Sequence, residues 1–509
     1  MLTILQFDAA SASVLARLLA EGRLPTLAGL RERGVWHDLD APATQFAAGA
    51  QHTLYSGVEL GEHGLFYPFQ WSAQEQRVHY MGELYAPPPV WERLGRGGTR
   101  TLAVDPYESR PPVEAPPGEL VCGWQLHDRV VLREWSAPAG AHRRLVKQFG
   151  RPEPVDEVFG RHSAKEMLGL RGRLLRAPER VADAATTFLA EQPFDLAWLT
   201  FCAAHVAGHQ FWDLSQIDPD QLDPATAAAL GGTLDEVYEA VDAALGRVLC
   251  VLPDGADVMV VSPVGMDVNT SRADMLPEML RAILDVCPDS PPTPDRAPDA
   301  ARGSIWRLRA ALPSGLRAKV AAALPEKVAL ELTARLEMRG VDWSHTRAFA
   351  HPAENQGYIR LNLRGRERDG IVEPEDADDL MKEIAAGILT YTDLDGAPAV
   401  RSVERVADLF GSGDRAHQLP DLIVRWVDTP ATRLAGVRSP RFGTVHRHGV
   451  GSGRSGNHTE GDAWALVVPG SSRHATPSRR PRLEDVAATA AALSGGEVSG
   501  MAGEPLLQR

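Results

Sequence analysis

The stretch that decides the fold is DLAWLTFCAAHVAGHQFW, residues 195–212. Its first part, LAWLTF at residues 196–201, is apolar without alternation, which is typical of a strand buried on both faces of a parallel sheet. His205 and His209 follow this run and are four residues apart, a spacing that puts two side chains on one face of a helix. Such a pair either packs in the core or binds a metal ion.

Similar apolar runs recur along the chain and alternate with helical patterns. This order predicts an α/β fold with a mostly parallel central sheet and helices on both faces. In such sheets, ligands bind at the carboxyl ends of the strands. The predicted strands are residues 2–7, 101–104, 196–201, 258–262, 358–363, 422–426 and 463–468. The predicted helices are residues 11–33, 90–94, 177–191, 226–252, 374–388 and 484–493.

Two neighbouring segments interrupt the alternation. Residues 285–303 are rich in Pro, Asp and Ala and predict a flexible linker. Residues 305–338 predict a small set of helices that form a cap. The expected organisation is an α/β core at 1–270 and 345–509, with an irregular insertion at about 70–172 and the linker and helical cap insertion at 271–344.

Composition and net charge exclude several classes of protein. The chain has 509 residues, 44% hydrophobic and 24% charged, as in an ordinary globular enzyme. A net charge of −14 argues against nucleic acid or an anionic membrane as the main partner. Four cysteines without a CxxC pair argue against a disulfide framework and a thiolate zinc site. Because the sequence shows no signal-peptide pattern and no long apolar run, we expect a cytoplasmic protein.

Polar residues after the predicted strands form motifs in a particular order. They include LQFDAAS with Asp8, YSGVELGEHGLF at 55–66, VVSPVGM at 260–266 and GNHTEGDAWALVV at 456–468. Over nearly the whole chain this order resembles the alkaline phosphatase superfamily, and most of all its type I phosphodiesterase/nucleotide pyrophosphatase branch. The resemblance implies an alkaline phosphatase-like fold with a two-metal site for phosphoryl or sulfuryl transfer and a Thr or Ser nucleophile.

The resemblance carries metal-site roles to four residues of this chain. Asp8 matches the family's first carboxylate, His209 the histidine of a D-x-x-x-H segment, and His458 a late histidine. His205 stands where the Asp of that segment is expected. The resemblance therefore implies a rebuilt site of three histidines, which suits zinc, iron and other first-row metals. Asp8 is interpreted as a general base, an orienting residue or a fourth ligand, with helix capping as the alternative.

The other positions of the two-metal pattern have changed. The nucleophile position falls at or near Ala47, and the hydroxyls of Thr44 and Thr53 are out of register. Pro263 and Val264 replace an adjacent Asp-His pair, and neither side chain is a ligand. The second metal site would keep only its first carboxylate.

These changes predict a metal-dependent enzyme with one divalent transition metal, zinc or iron. It would act on a small molecule through metal-bound water or hydroxide, or through redox chemistry, without a Thr or Ser nucleophile. One alternative is a conventional two-metal phosphodiesterase whose missing ligands come from elsewhere, for instance Asp267 or Asn269. Another is a non-catalytic relative that binds a ligand in the old pocket.

Other polar residues near these motifs are candidates for substrate binding. Arg454 and Asn457 flank His458 in a glycine-rich loop and would contact an anionic substrate, with loop solvation as the alternative. His52 would point toward the vacated site, with packing as the alternative. His63 is interpreted as structural. Further candidates are His446 and His448 as alternative ligands, and Glu354, Asn355 and Gln356 as pocket-lining residues.

Overall fold

The computed structural model describes residues 1–81, 84, 86–128, 130–155, 162–285, 338, 341–353, 355–411, 413–449, 451–496 and 499–509. Glu354, most of the predicted linker and nearly all of the predicted cap helices lie outside the described residues. The proposed division into core and insertions stays a prediction.

The described strands alternate with helices along most of the chain. The strands are β1 (Leu2–Phe7), β2 (Val35–Leu39), β3 (Phe69–Ser72), β4 (Arg77–Tyr80), β5 (Thr101–Val104), β6 (Gly118–Cys122), β7 (Leu126–His127), β8 (Trp135–Ala137), β9 (Glu153–Pro154), β10 (Leu196–Phe201), β11 (Asp257–Ser262), β12 (Met266–Val268), β13 (Ala348–His351), β14 (Gly357–Leu361), β15 (Thr392–Asp393), β16 (Val400–Arg405), β17 (Leu422–Trp426), β18 (Gly436–Ser439), β19 (Gly443–His446), β20 (Gly456–His458), β21 (Ala463–Val468), β22 (Arg473–His474) and β23 (Leu507–Gln508).

The helices vary from single turns to one long helix of 28 residues, α7. The helices are α1 (Ala12–Ala20), α2 (Pro25–Arg31), α3 (Gly49–Ser56), α4 (Leu60–His63), α5 (Val90–Gly95), α6 (Ala141–Phe149), α7 (Ala164–Glu191), α8 (Ala203–Phe211), α9 (Pro224–Gly231), α10 (Thr233–Leu249), α11 (Leu276–Leu284), α12 (Ala377–Ile388), α13 (Val406–Phe410) and α14 (Glu484–Leu493). In the part of the chain that is described, no helix combines the length and the apolar character needed to cross a membrane.

The central sheet has eight described strands in the order β2-β21-β11-β1-β10-β5-β6-β8. Five neighbouring strands, in the order β11-β1-β10-β5-β6, are parallel to one another. Antiparallel strands flank them on both sides. β1, β10 and β11 are buried along their whole length, as their unbroken apolar runs predict. The predicted α/β fold with a mostly parallel central sheet is confirmed.

Two predicted helices are each divided in two. The predicted helix at 11–33 forms α1 and α2, because Pro25 cannot continue a helix but fits the first turn of a new one. The predicted helix at 226–252 forms α9 and α10, which are separated at Gly232. The predicted helix at 177–191 is the second half of the longer α7.

A second, antiparallel sheet has the strand order β13-β14-β17-β16. The predicted strands at 358–363 and 422–426 belong to this sheet, as β14 and β17, and not to the parallel sheet. Apolar residues of α11 and α12 share its core. Tyr358 of β14 packs against Phe46, whose ring centroid is 5.0 Å away, so this sheet contacts the segment that precedes α3.

The carboxyl ends of β1, β10 and β11 meet at one edge of the central sheet. Asp8 follows β1, α8 follows β10, and β12 follows β11. β20 returns from a distant part of the sequence and pairs antiparallel with β12. The polar segments that the sequence pattern singled out therefore converge at this edge.

Candidate metal centre

His205 and His209 lie on one face of α8, directly after β10. The side chain of Gln125 holds this junction, since its Nε2 donates to the Thr200 carbonyl at 2.7 Å and its Oε1 accepts the Cys202 N–H at 3.0 Å. The spacing of four residues places the two histidine Nε2 atoms 3.1 Å apart. Both side chains are buried.

His458 reaches the same point from β20. It stands opposite Met266 in the β12–β20 pair. Its ring lies edge-on to those of His205 and His209, at centroid distances of 4.7 and 4.8 Å. One nitrogen from each of the three buried histidines lies within 4.8 Å of the others. Within the described ranges, no other set of three or more His, Cys, Asp or Glu side chains is close enough to hold a metal ion.

Two glycines allow α8 and β20 to approach this closely. A Cβ atom on Gly456 would lie 2.1 Å from the carbonyl oxygen of Gly208, and a Cβ on Gly208 would lie 2.5 Å from Cγ of Met266. Neither position accepts a side chain unless its neighbours move. The close approach brings the Gly456 carbonyl to within 3.1 Å of His209 Nδ1, which donates to it.

Asp8 lies behind His205 and outside the group of three. Its Oδ2 accepts from His205 Nδ1 at 2.7 Å, and its Oδ1 accepts from Gln51 Nε2 at 2.6 Å and from Gln6 Nε2 at 3.0 Å. The interpretation of Asp8 as the cap of the following helix is wrong, because Ser11 is the N-cap of α1. Its role as a general base or fourth ligand stays a prediction.

The Asp8 carboxylate and the Gly456 carbonyl determine which nitrogens of His205 and His209 carry protons. Carboxylate and carbonyl oxygens only accept, so Nδ1 is protonated in both His205 and His209. In the neutral rings both Nε2 atoms are then acceptors, yet they face each other at 3.1 Å. Two lone pairs at this distance repel unless a cation lies between them.

The surroundings favour a metal ion over a proton as that cation. Burial, followed by the positive charge of Arg454, lowers the pKa of His209 well below 6.5. A proton bridges two nitrogens, whereas three imidazoles converge here. Two nitrogens bound to one tetrahedral zinc at about 2.0–2.1 Å are separated by about 3.3 Å, close to the observed spacing. The three side chains therefore fit a divalent transition metal.

Comparisons with known proteins agree with the resemblance drawn from the sequence. The family model for type I phosphodiesterase / nucleotide pyrophosphatase matches residues 2–450. The chain belongs to this family. No curated protein is similar enough in sequence to count as a match.

Solved structures of two kinds of enzyme are similar to the chain over nearly its whole length. Phosphonoacetate hydrolase from Sinorhizobium meliloti 1021, in complex with phosphonoacetate, is 15% identical with a TM-score of 0.49, over 97% of this chain and 95% of that one. An inactive form of murine ectonucleotide pyrophosphatase/phosphodiesterase 5, in complex with AMP, is 12% identical with a TM-score of 0.46, over 99% of this chain and 97% of that one.

The positions at which the sequence predicts the family's nucleophile and its adjacent Asp-His pair are apolar. Ala47 and Val264 are both buried in the main hydrophobic core. The nearby hydroxyls have structural partners, since Thr44 donates to a backbone carbonyl at 3.1 Å and Thr53 Oγ1 lies 3.0 Å from His63 Nε2. The absence of a Thr or Ser nucleophile stays a prediction.

The alternative ligands lie away from the group of three. Asp267 is exposed, and Asn269 donates its amide to the loop before β20. His446 and His448 are also exposed, and His448 Nε2 is 3.1 Å from a carboxylate oxygen of Glu278. Asp267, His446 and His448 do not belong to the group.

The two predicted substrate contacts beside His458 are buried. Arg454 is close enough to His209 to contribute to its lowered pKa. Asn457 Oδ1 accepts the backbone N–H of His458 at 2.9 Å and so helps to shape the end of β20. Their contact with a substrate stays a prediction.

The remaining predicted contacts lie on other elements. His52 lies on α3, where burial, followed by the charge of Arg110, lowers its pKa to about 4. Asn355 and Gln356 precede β14 and are buried, with the Asn355 carbonyl accepting from Trp426 Nε1 at 2.9 Å. Substrate binding by these residues also stays a prediction.

Sequence reasoning missed three buried residues around the centre. The ring centroid of Tyr107 lies 4.8 Å from that of His205. Tyr107 follows β5, whose carboxyl end lies at the same sheet edge, so its place after a strand was a usable signal. For Gln6, the signal was an amide inside an apolar strand. Gln51 gave no signal in the sequence.

Proposed function

We propose that this chain is a metalloenzyme of its family with one divalent transition metal, zinc or iron, held by His205, His209 and His458. It acts on a small anionic molecule and does not use a Thr or Ser nucleophile. The observation that carries this proposal is the pair of histidine Nε2 atoms 3.1 Å apart, with a third imidazole beside them. A divalent cation bound by all three nitrogens would stabilise this arrangement.

The metal would supply Lewis acidity or, if it is iron, redox chemistry. The protein's own residues prepare the site for it. Asp8 holds the Nδ1 proton of His205, and the Gly456 carbonyl holds that of His209, so both rings present Nε2. Burial keeps His209 neutral and ready to bind. Tyr107 covers the ring of His205 and helps to exclude water.

Charge supports an anionic substrate. Three neutral imidazoles leave the full +2 charge on a divalent ion. Arg454 adds a positive charge near His209. The negative charge of Asp8 is stabilised by His205 and two amide groups on the far side of the ring. The centre is therefore positive toward the substrate.

A conventional two-metal phosphodiesterase has less support. Both oxygens of Asp8 already accept hydrogen bonds from protein groups. Of the residues that would have replaced the missing ligands, Asp267 is exposed and Asn269 donates its amide to the loop before β20.

Element-resolved metal analysis of the purified protein tests the proposal. We expect about one zinc or iron per chain, as a single three-histidine site holds. Two metals per chain, with turnover of a generic aryl phosphodiester, would establish the two-metal alternative instead. No metal from any growth medium, and none after incubation with Zn²⁺ or Fe²⁺, would leave a non-catalytic binding protein.

A further inference from the structure

Gln6 is an unusual residue for its position. It lies in β1, the middle of the central sheet, and its side chain is 0% exposed between Leu5 and Phe7. Burying an amide without partners costs free energy, so each of its polar atoms needs a hydrogen bond. Gln6 finds all of its partners in side chains, and its bonds lead to the candidate metal centre.

The donors around Gln6 fix the direction of its amide. Its Oε1 accepts from Trp198 Nε1 at 3.0 Å, Tyr55 Oη at 3.2 Å and Thr200 Oγ1 at 3.3 Å. An indole N–H can only donate, so the atom that faces Trp198 must be the oxygen. The Nε2 group of Gln6 therefore points the other way, toward Asp8 and Gln51.

Gln51 is oriented in turn by Gln6. The two hydrogens of Gln6 Nε2 are donated to Gln51 Oε1 at 2.9 Å and to Asp8 Oδ1 at 3.0 Å. Because Oε1 of Gln51 faces Gln6, its Nε2 faces Asp8 and donates to the same Oδ1 at 2.6 Å. Two donors thus occupy Oδ1 of Asp8, and the carboxylate is held with Oδ2 toward His205 Nδ1.

We propose that Gln6 and Gln51 are positioning residues which, through Asp8, fix the Nδ1-protonated form of His205 and so set the metal affinity of the centre. This rests on the proposed function. A free imidazole exchanges between two tautomers, and only the one with a bare Nε2 presents a lone pair to the other two histidines. The indole N–H of Trp198 fixes the Gln6 amide, which orients Gln51 and Asp8. Asp8 in turn fixes the proton on His205 Nδ1.

Zn²⁺ affinity, measured by competition with a chromophoric chelator, tests the metal side of this inference. We expect Gln51→Leu and Gln6→Leu to bind Zn²⁺ about 10–100-fold more weakly than the natural chain, the usual effect of losing a group that orients a ligand. Gln70→Leu is the matched control. Gln70 is equally buried, but its amide bonds only the backbone of residues 64 and 66. This variant should lose thermal stability and keep its Zn²⁺ affinity.

The tautomer itself is read without metal, from ¹⁵N-histidine NMR spectra of the metal-free protein, with His205 assigned by His205→Gln. We expect an Nδ1-protonated ring in the natural chain and a mixture of tautomers in Gln51→Leu. An Nε2-protonated His205 in the natural chain overturns the inference even if neither leucine variant folds. Unchanged Zn²⁺ affinity in both variants also overturns it, while leaving the proposed function intact. Failure of the natural chain to bind any metal removes the proposed function, and the NMR spectrum still decides the role of the two glutamines.

Discussion

The carboxylate of Asp8 and the imidazole of His205 are joined by a hydrogen bond of 2.7 Å, Oδ2 to Nδ1, although the two residues are 197 positions apart in the chain. Asp8 lies behind the ring, and His209 and His458 lie in front of it. A carboxylate in this position orients a metal-binding histidine and increases its basicity.

Asp8→Asn tests this relationship. The amide keeps the size of the side chain and removes its negative charge. We expect Zn²⁺ affinity to fall about 10–100-fold while a saturating concentration still fills the site, because the ligands themselves remain. X-ray absorption should show the same shell of imidazole nitrogens in both proteins. Loss of an oxygen neighbour from the metal in Asp8→Asn would show instead that Asp8 is a direct ligand.

His209→Ala should abolish metal binding. This change removes one of three converging nitrogens and leaves a cavity in a fully buried site. We expect metal content to fall from about one ion per chain to near zero by element-resolved analysis. His448→Ala is the control, because this exposed histidine pairs with Glu278 away from the centre. Equal metal content in the two variants would contradict the assigned site.

Gly456→Ala should separate β20 from α8. Its new methyl group would meet the backbone of Gly208 at 2.1 Å, and backbone cannot move aside as a flexible side chain can. We expect a loss of about 1–3 kcal/mol in the free energy of unfolding, as for other overpacked positions, together with weaker Zn²⁺ binding.

The matched substitution for comparison is Gly29→Ala in α2, where nothing lies within 4 Å of the added methyl. It should stabilise the protein by up to about 1 kcal/mol, because alanine is the better helix former. Denaturation curves and zinc titrations of both variants provide the check. Normal zinc affinity in Gly456→Ala would mean that the centre tolerates a shift of β20.

The stability of the metal-free protein should fall as the pH is lowered from 7 to 5. His351 is one cause, since burial lowers its pKa to about 3. The Nε2 atom of His351 accepts the backbone N–H of Trp71 at 3.1 Å, and its Nδ1 donates to the Pro352 carbonyl at 2.6 Å. The folded protein therefore keeps this ring neutral. Below a pKa of about 6.5 the unfolded chain takes up a proton that the folded chain does not.

For each such proton, the free energy of unfolding changes by about 1.4 kcal/mol per pH unit. Urea unfolding of His351→Gln at several pH values should therefore give a shallower pH dependence than the natural chain, by roughly one proton. Identical slopes would mean that His351 is protonated in the folded state.

The sequence was most informative where a pattern repeats over short distances. Unbroken apolar runs located β1, β10 and β11, and the spacing of His205 and His209 placed both on one helix face. Longer patterns were less reliable. The continuous helical pattern at 11–33 concealed the break at Pro25, since periodicity continues through a loop that returns to the same core.

The candidate site was only partly visible in the sequence. The resemblance to the family singled out the three histidines and Asp8 by their order in the chain. For Asp8 the sequence left open a helix cap, a general base, an orienting residue or a fourth ligand. The structure rejects the first of these, because Ser11 caps α1, and it places Asp8 against His205 Nδ1.

The sequence alone determined that this chain would form an α/β fold with a buried parallel sheet, because burial on both faces demands continuous apolar strands. The resemblance to the family also predicted that histidines stand where the family's carboxylate and late ligand are expected. Only the tertiary structure decided which nitrogen of His205 faces His209 and His458. It also placed Gln6, Gln51 and Tyr107 beside these residues. Tautomers and hydrogen bonds depend on distances of a few ångströms between residues far apart in the chain, and packing alone sets those distances.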